Sequence, residues 1–301
     1  MRPPILCVGA LTLDTIFEMN TLPEGAGKFI PRGAVQIAAG MASSAATTIA
    51  RLGGSVALWA SVGDDATGDR LVREMAAEGV DCGAVRVLPG ARSAFATILV
   101  DQAGERVIVP QYDPALLSEP AVMPEIYSTT FAAVMTDVRW PQAATKALSA
   151  ARGAGIPAIL DADVATLETL NLLMPLATHV VASEPAAERL TGMADPALAV
   201  EPLVGQTDGF VAVTAGDDGV YWFDRDAGMV RHCAAPRVVV KDTLAAGDVF
   251  HGAFAFGLVE NWPMERIMAF ASMAAAMKCE VFGGRLGAPT RAAVEARLRD
   301  F

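Results

Sequence analysis

Positive charge is scarce in this chain: 23 lysines and arginines stand against 34 aspartates and glutamates, for a formal charge of −11 over 301 residues. Binding a phosphate backbone or an anionic membrane depends on clustered cations, so neither nucleic acid nor a membrane is the expected partner, although a few placed cations could hold a small anion. Cysteine is equally sparse. Cys7, Cys82, Cys233 and Cys279 are scattered with no close pair, which argues against zinc-thiolate or dithiol chemistry and for a reducing compartment. Long hydrophobic runs are missing too: the stretches near Phe250 to Val259 and Ile267 to Met277 fall well short of a bilayer span. The opening apolar segment Ile5-Leu6-Cys7-Val8 is too short for a signal peptide, so the expected location is cytoplasmic.

What the chain has is apolar content, 53% of its residues, enough to bury a large core in one α/β domain. Short apolar runs alternate with segments of helical spacing, the pattern of a parallel sheet with crossover helices. Buried strands are expected at Ile5 to Val8, Val56 to Ala60, Phe131 to Met135, Ala158 to Asp161, His179 to Ala182 and Phe210 to Thr214. Helices are expected at Ser43 to Leu52, Gly68 to Glu78, Ala143 to Ala154, Leu167 to Leu176 and Glu184 to Leu190. Gly53-Gly54, Gly79 and Gly155 follow three of these, where a left-handed residue commonly ends a helix.

Two stretches, roughly 14–37 and 93–110, break the alternation. In the second, Ala94 to Val100 and Arg106 to Val109 flank the turn Asp101 to Glu105, a strand-turn-strand pattern that predicts a small sheet projecting from the main domain. Its apolar face would need a substrate or a second subunit as cover, unless it is an extra layer of the main sheet.

The strongest chemical signal is Lys241-Asp242-Thr243-Leu244-Ala245-Ala246-Gly247-Asp248, followed by the apolar run from Val249. Small residues at 245 to 247 leave backbone N–H groups open at the start of a helix, a cradle for phosphoryl charge. A carboxylate at the end of such a turn sits where a general base for phosphoryl transfer must be, though spacing alone equally allows Asp248 to be a helix-terminal carboxylate without chemistry.

These residues resemble the Asp-Thr-x-Gly/Ala-Ala-Gly-Asp signature of the ribokinase-like (PfkB) sugar kinases. The resemblance implies a three-layer α/β/α domain with a mainly parallel central sheet and a small β-sheet lid, one kinase domain spanning 1–301 with the lid segments inserted. It implies ATP and Mg²⁺ as cofactors, Asp248 as catalytic base, and the Ala245, Ala246 and Gly247 backbone as anion hole. Asp14 and Gly40 match sugar-gripping positions, and Ser44 stands where the family carries Asn. Thr214, Gly216, Gly219 and Thr243 match the nucleotide side. Ser183-Glu184-Pro185-Ala186 occupies the Asn-x-x-Glu place, leaving Glu184 as the candidate for Mg²⁺. In members that bind a monovalent cation such as K⁺, the positions of Asp242 and Leu244 help coordinate it.

Asp137-Val138-Arg139-Trp140, Asp248 to Ala253 and Gly283 to Pro289 are similar to the sulfofructose-kinase branch. There Lys28 and Arg139 would hold an anionic sugar such as 6-deoxy-6-sulfofructose, while the branch's lid Asn falls on Pro110, which has no donor. His251 reads as structural. If a second subunit is what covers the lid's apolar face, the expected assembly is a homodimer through the lid. A kinase for a neutral sugar or nucleoside, and a non-catalytic nucleotide or sugar sensor, remain as alternatives. The intact Asp242 to Asp248 run speaks against a sensor.

Overall fold

In the short apolar runs, successive side chains point to opposite faces, and here both faces are buried. Ile5 and Cys7 of the first strand enter one core while Leu6 and Val8 enter another, and all four are at most 2% exposed. Such a strand is apolar at every position because each face meets a helical layer. In the computed structural model, which describes residues 2–299, the strands are β1 (Ile5–Val8), β2 (Thr12–Glu18), β3 (Gly33–Ala39), β4 (Val56–Trp59), β5 (Ser61–Gly63), β6 (Arg86–Leu88), β7 (Phe95–Val100), β8 (Arg106–Gln111), β9 (Ala133–Thr136), β10 (Ala158–Ala162), β11 (His179–Ser183), β12 (Phe210–Thr214), β13 (Val220–Asp224) and β14 (Met229–Cys233). The helices are α1 (Met41–Arg51), α2 (Ala66–Ala77), α3 (Pro141–Gly153), α4 (Leu167–Leu173), α5 (Glu184–Thr191), α6 (Pro196–Val204), α7 (Ala246–Val259), α8 (Met264–Cys279) and α9 (Arg291–Arg299).

Eight strands form the central sheet in the order β14-β13-β12-β11-β10-β9-β1-β4, parallel from β12 to β4 and antiparallel at β13 and β14. One face packs on α1, α2, α7 and α8, the other on α3 to α6, giving the expected three layers. Helix α7 is apolar all round because α1 and α8 flank it, and nine of its residues are buried. The glycines at 53, 79 and 155 end α1, α2 and α3 with positive φ, as their positions predict.

Most expected boundaries shift by one to three residues, and two of the shifts have a visible cause. The strand expected from Phe131 begins at Ala133, because Phe131 N–H turns back onto Tyr127 O. The helix expected to reach Leu176 stops at Leu173, and Pro175 lies in a 3₁₀ turn, Met174–Leu176.

The lid is a separate four-stranded sheet, β3-β2-β7-β8, with β2 and β7 parallel and both outer pairs antiparallel. Its inner face buries Ile16, Ile37, Ala96 and Ile98 against Leu244 and Phe282, so the turn leading into α7 itself covers part of it. The edge strand β8 is exposed throughout, with Val107, Ile108 and Val109 from 44% to 61% exposed. Among the described residues, no helix is long and apolar enough to cross a membrane.

Candidate active site

Ligand sites in open parallel sheets form beyond the carboxyl ends of the strands, and the carboxylates of this chain gather there. Asp137 follows β9, Asp161 is the penultimate residue of β10, Asp163 comes two residues later, and Asp248 lies in the first turn of α7. Asp137 is fully buried and accepts N–H bonds from Ala10 (2.8 Å), Ala42 (3.1 Å) and Arg139 (2.8 Å). It therefore ties the ends of β1 and β9 to the start of α1. Gly9 has to be glycine, since a Cβ there would stand 2.2 Å from the Asp137 carboxyl carbon. Gly40 is likewise fixed by φ 109° and by Ala10 O, 2.5 Å from where a Cβ would be.

The turn into α7 is bent by Ala245, a non-glycine residue held at φ 64°, ψ 12°. A left-handed alanine costs roughly 1 kcal/mol or more and persists because its surroundings impose it. Sequence reasoning expected three open amides at 245 to 247, and the structure corrects one of them. Ala246 N–H is donated to Thr243 O (3.2 Å), whereas the N–H groups of Ala245, Gly247 and Asp248 have no partner among the described residues. Gly247 is exposed, and a Cβ there would meet nothing within 4 Å, so the fold itself does not demand glycine. The open space and free donors fit the approach of a phosphoryl group.

Behind the turn, His251 Nδ1 lies 2.7 Å from Gly247 O, and Nε2 lies 3.2 Å from Val181 O and 3.4 Å from Asp161 Oδ1. Burial pulls the imidazole below its ordinary pKa. The ring clamps the start of α7 to β10 and β11. Asp161 Oδ2 is buried without a partner. Burial, and then the neighbouring carboxylate of Asp161, pushes Asp248 well above the usual carboxylate range, with His251 opposing. Burial and the charges of Asp163 and Asp137 do the same to Asp161. An acid moved toward neutrality is what a general base at physiological pH requires.

Of the residues expected on the sugar side, Asp14 is 7% exposed and accepts the Thr12 hydroxyl at 2.6 Å. Burial raises it to about 6, against the pull of Thr12 and Arg285. Ser44 is 1% exposed in α1. Arg139 lines a small cavity with Gly9, Leu11, Trp140 and Tyr112, but its guanidinium is already bonded to Asp163 Oδ2 (3.0 Å) and Val164 O (3.0 Å). Lys28 is exposed in the coil between β2 and β3, has no ion-pair partner among the described residues, and is not among the residues lining that cavity. Tyr112 was missed by sequence reasoning. It follows β8 directly, and burial, with Asp137 next, lifts its phenol to about 12 while Arg139 opposes. No spacing rule marks a tyrosine after an edge strand, so only the fold brings it to Asp14 and Arg139.

On the nucleotide side, Thr214 ends β12 and bonds Ala182 O (3.4 Å), and Gly216 and Gly219 bracket a 3₁₀ turn with φ 55° and 107°. Thr243 Oγ1 donates to Gly104 O (2.8 Å) and accepts from Arg106 Nη1 (2.7 Å), which fastens the lid turn to the catalytic loop. Glu184 is exposed at the first turn of α5, while Ala186 is fully buried and offers no donor. Ser183 Oγ bonds Asp163 Oδ1 at 3.1 Å. No group of three His, Cys, Asp or Glu side chains is placed to hold a metal among the described residues. The carboxylate oxygens of Asp163 and Glu184 suit Mg²⁺, which is commonly held by one or two carboxylates together with substrate phosphates. The Asp242 carboxylate, expected to help coordinate a monovalent cation, instead carries the ammonium of Lys278 at 3.2 Å.

A model of the pfkB family of carbohydrate kinases matches residues 3–291. A crystal structure from Agrobacterium tumefaciens, of a protein provisionally named a ribokinase, superposes with a TM-score of 0.95 at 47% identity and covers 100% of this chain and 98% of its own. The ribokinase of Haemophilus influenzae is 27% identical over 300 residues, covering 97% of each chain. An Arabidopsis thaliana ribokinase complexed with ribose and ATP shares the fold at a TM-score of 0.82 and 24% identity, covering 99% of each chain.

Proposed function

Because this chain belongs to the pfkB family of carbohydrate kinases, we propose that it transfers the γ-phosphoryl group of ATP to a primary hydroxyl of a ketose or furanose. The observation that carries this reading is the turn at Ala245, which leaves the Gly247 and Asp248 amides free beside a carboxylate of raised pKa. Asp248 accepts the hydroxyl proton as the sugar oxygen attacks phosphorus, and the free amides meet the charge that develops on the transferred group. Mg²⁺ bound with the nucleotide would neutralise phosphate charge, with Asp163 and Glu184 as the residues to hold it. Asp14 and Ser44 face the sugar hydroxyls, while Thr214, Gly216, Gly219 and Thr243 serve the nucleotide. The lid segments act as insertions in a single kinase domain and exclude water when closed.

A second reading concerns the sugar's charge. Arg139 lines the cavity with Tyr112 and Trp140, and its planar fork suits a sulfonate, phosphate or carboxylate, with Lys28 as a movable second cation. An anionic substrate would then have to draw Arg139 away from Asp163. A panel of ribose, fructose, nucleosides, fructose 6-phosphate, keto-gluconates and 6-deoxy-6-sulfofructose, followed by ADP release, identifies the acceptor class. Arg139→Ala is expected to raise KM about tenfold or more for anionic sugars only. An unchanged KM removes the cation role and leaves a neutral sugar.

The reading includes a homodimer through the lid, supported by the exposed Val107, Ile108 and Val109 on an unpaired edge strand. Light scattering should return twice the chain mass, and Val109→Glu should shift it toward one. A monomeric wild-type mass removes this part.

A further inference from the structure

Lys278, in the last turn of α8, is fully buried, as is Asp242. Its Nζ donates to Asp242 O at 2.5 Å and lies 3.2 Å from Asp242 Oδ2. The same carboxylate accepts Leu244 N–H on Oδ1 (2.8 Å) and the N–H groups of Gly283 and Gly284 on Oδ2 (2.9 Å each). Each carboxylate oxygen offers about two lone-pair sites, so Oδ2, facing three donors, is fully engaged, while Oδ1 meets one. A monovalent metal ion on Asp242 Oδ2 would have to displace the lysine or a peptide N–H. It would also stand beside a buried ammonium, with no water to screen the repulsion.

We propose that the Lys278 ammonium is a built-in monovalent cation, fixing the turn that carries the anion hole and making the enzyme independent of K⁺. An ammonium nitrogen and a potassium ion contact oxygen at similar distances, so the lysine can occupy the place of the ion without rebuilding the turn. Its bonds reach the carbonyl and carboxylate of Asp242, three residues before the left-handed Ala245. Lys278 is accordingly a positioning residue, acting on the phosphate site through the backbone of the 242–247 loop. Cys279 O reinforces the same joint by accepting the N–H groups of Lys241 (2.8 Å) and Asp242 (3.2 Å). The buried pair also gives the loop a covalently tethered counter-charge to Asp242 that no change of salt can remove.

The inference rests on reading the 242–248 turn as an anion hole, so its test uses readouts that need no sugar. Melting temperature and ADP affinity of the full chain are measured in the chlorides of choline, sodium, potassium and ammonium at constant ionic strength. The wild type should hold its ADP affinity within about twofold across the series, with no melting shift particular to K⁺. A rise in either quantity specific to K⁺ overturns the proposal. Lys278→Ala should lose about tenfold in ADP affinity in choline and recover it in K⁺ or NH₄⁺, which can enter the vacated space, but not in choline or sodium. A folded Lys278→Ala protein indifferent to all four cations also overturns it. If that variant folds in no salt, the wild-type series still decides whether an external cation is used. Loss of sugar turnover with the cation pattern intact would count against the kinase reading alone.

Discussion

Asp248→Asn is expected to lower kcat for sugar phosphorylation by about 10²- to 10⁴-fold, the range a positioned general base supplies. Asparagine keeps the shape and leaves the backbone amides of 247 and 248 in place, so KM for ATP should change little. The pH dependence gives an independent check. The base must be ionised, and its pKa lies well above the ordinary carboxylate range because of burial and Asp161. Wild-type kcat/KM should therefore rise with pH along an acid limb set above that range, and the limb should vanish in the residual activity of the variant. ADP release measured beside a melting curve separates lost chemistry from lost fold. A folded variant retaining more than about a tenth of wild-type kcat would remove Asp248 from this role.

Asp14→Asn should do two opposite things: abolish most sugar binding and stabilise the protein at neutral pH. Asp14 is buried with a pKa of about 6, so the native state holds a proton that the unfolded chain has already lost near pH 4. The native state of the wild type is thus unpenalised below about pH 4 and loses stability as pH rises through about 6. At pH 8 the accumulated loss is of the order of 2–3 kcal/mol. Asparagine carries no charge and can still accept the Thr12 hydroxyl. The variant should melt several degrees higher at pH 8, with the difference narrowing at pH 5 and closing below about pH 4. Equal melting temperatures at pH 8 would show that Asp14 is not strained by its burial. That result would leave its sugar contact without the trade-off expected of a functional group.

The central strands were legible because both faces of β1, β4, β9, β10, β11 and β12 are buried, which writes a continuous apolar run into the sequence. Helix ends at Gly53, Gly79 and Gly155 were legible because positive φ selects glycine. The turn before α7 was legible for the same local reason, since its function sits in consecutive residues. What escaped depends on distance along the chain. Lys278 lies 36 residues from Asp242, and nothing in either neighbourhood announces the contact. The parallel pairing of β2 with β7 joins segments about 80 residues apart, so the lid read as a hairpin with an uncertain companion. Arg285, inside the Gly283 to Pro289 motif, is 3% exposed and bonds Ala38 O and Glu78, binding the root of β3 to the end of α2. Motif resemblance marked that segment without saying that its arginine is scaffold. The fate of Ala246 N–H was invisible for a subtler reason: small residues predict open amides, but only the backbone path decides which of them point outward.

The bonds from Thr243 to Gly104 and Arg106 place the tip of the lid on the loop that holds the phosphate donors, not on the sugar pocket alone. On the proposed kinase reading, opening the lid would break them, so release of the phosphorylated sugar and loosening of the nucleotide loop would share one latch. Residence times of the two products would then be coupled, and a weaker latch would shorten both while exposing the loop to water between turnovers.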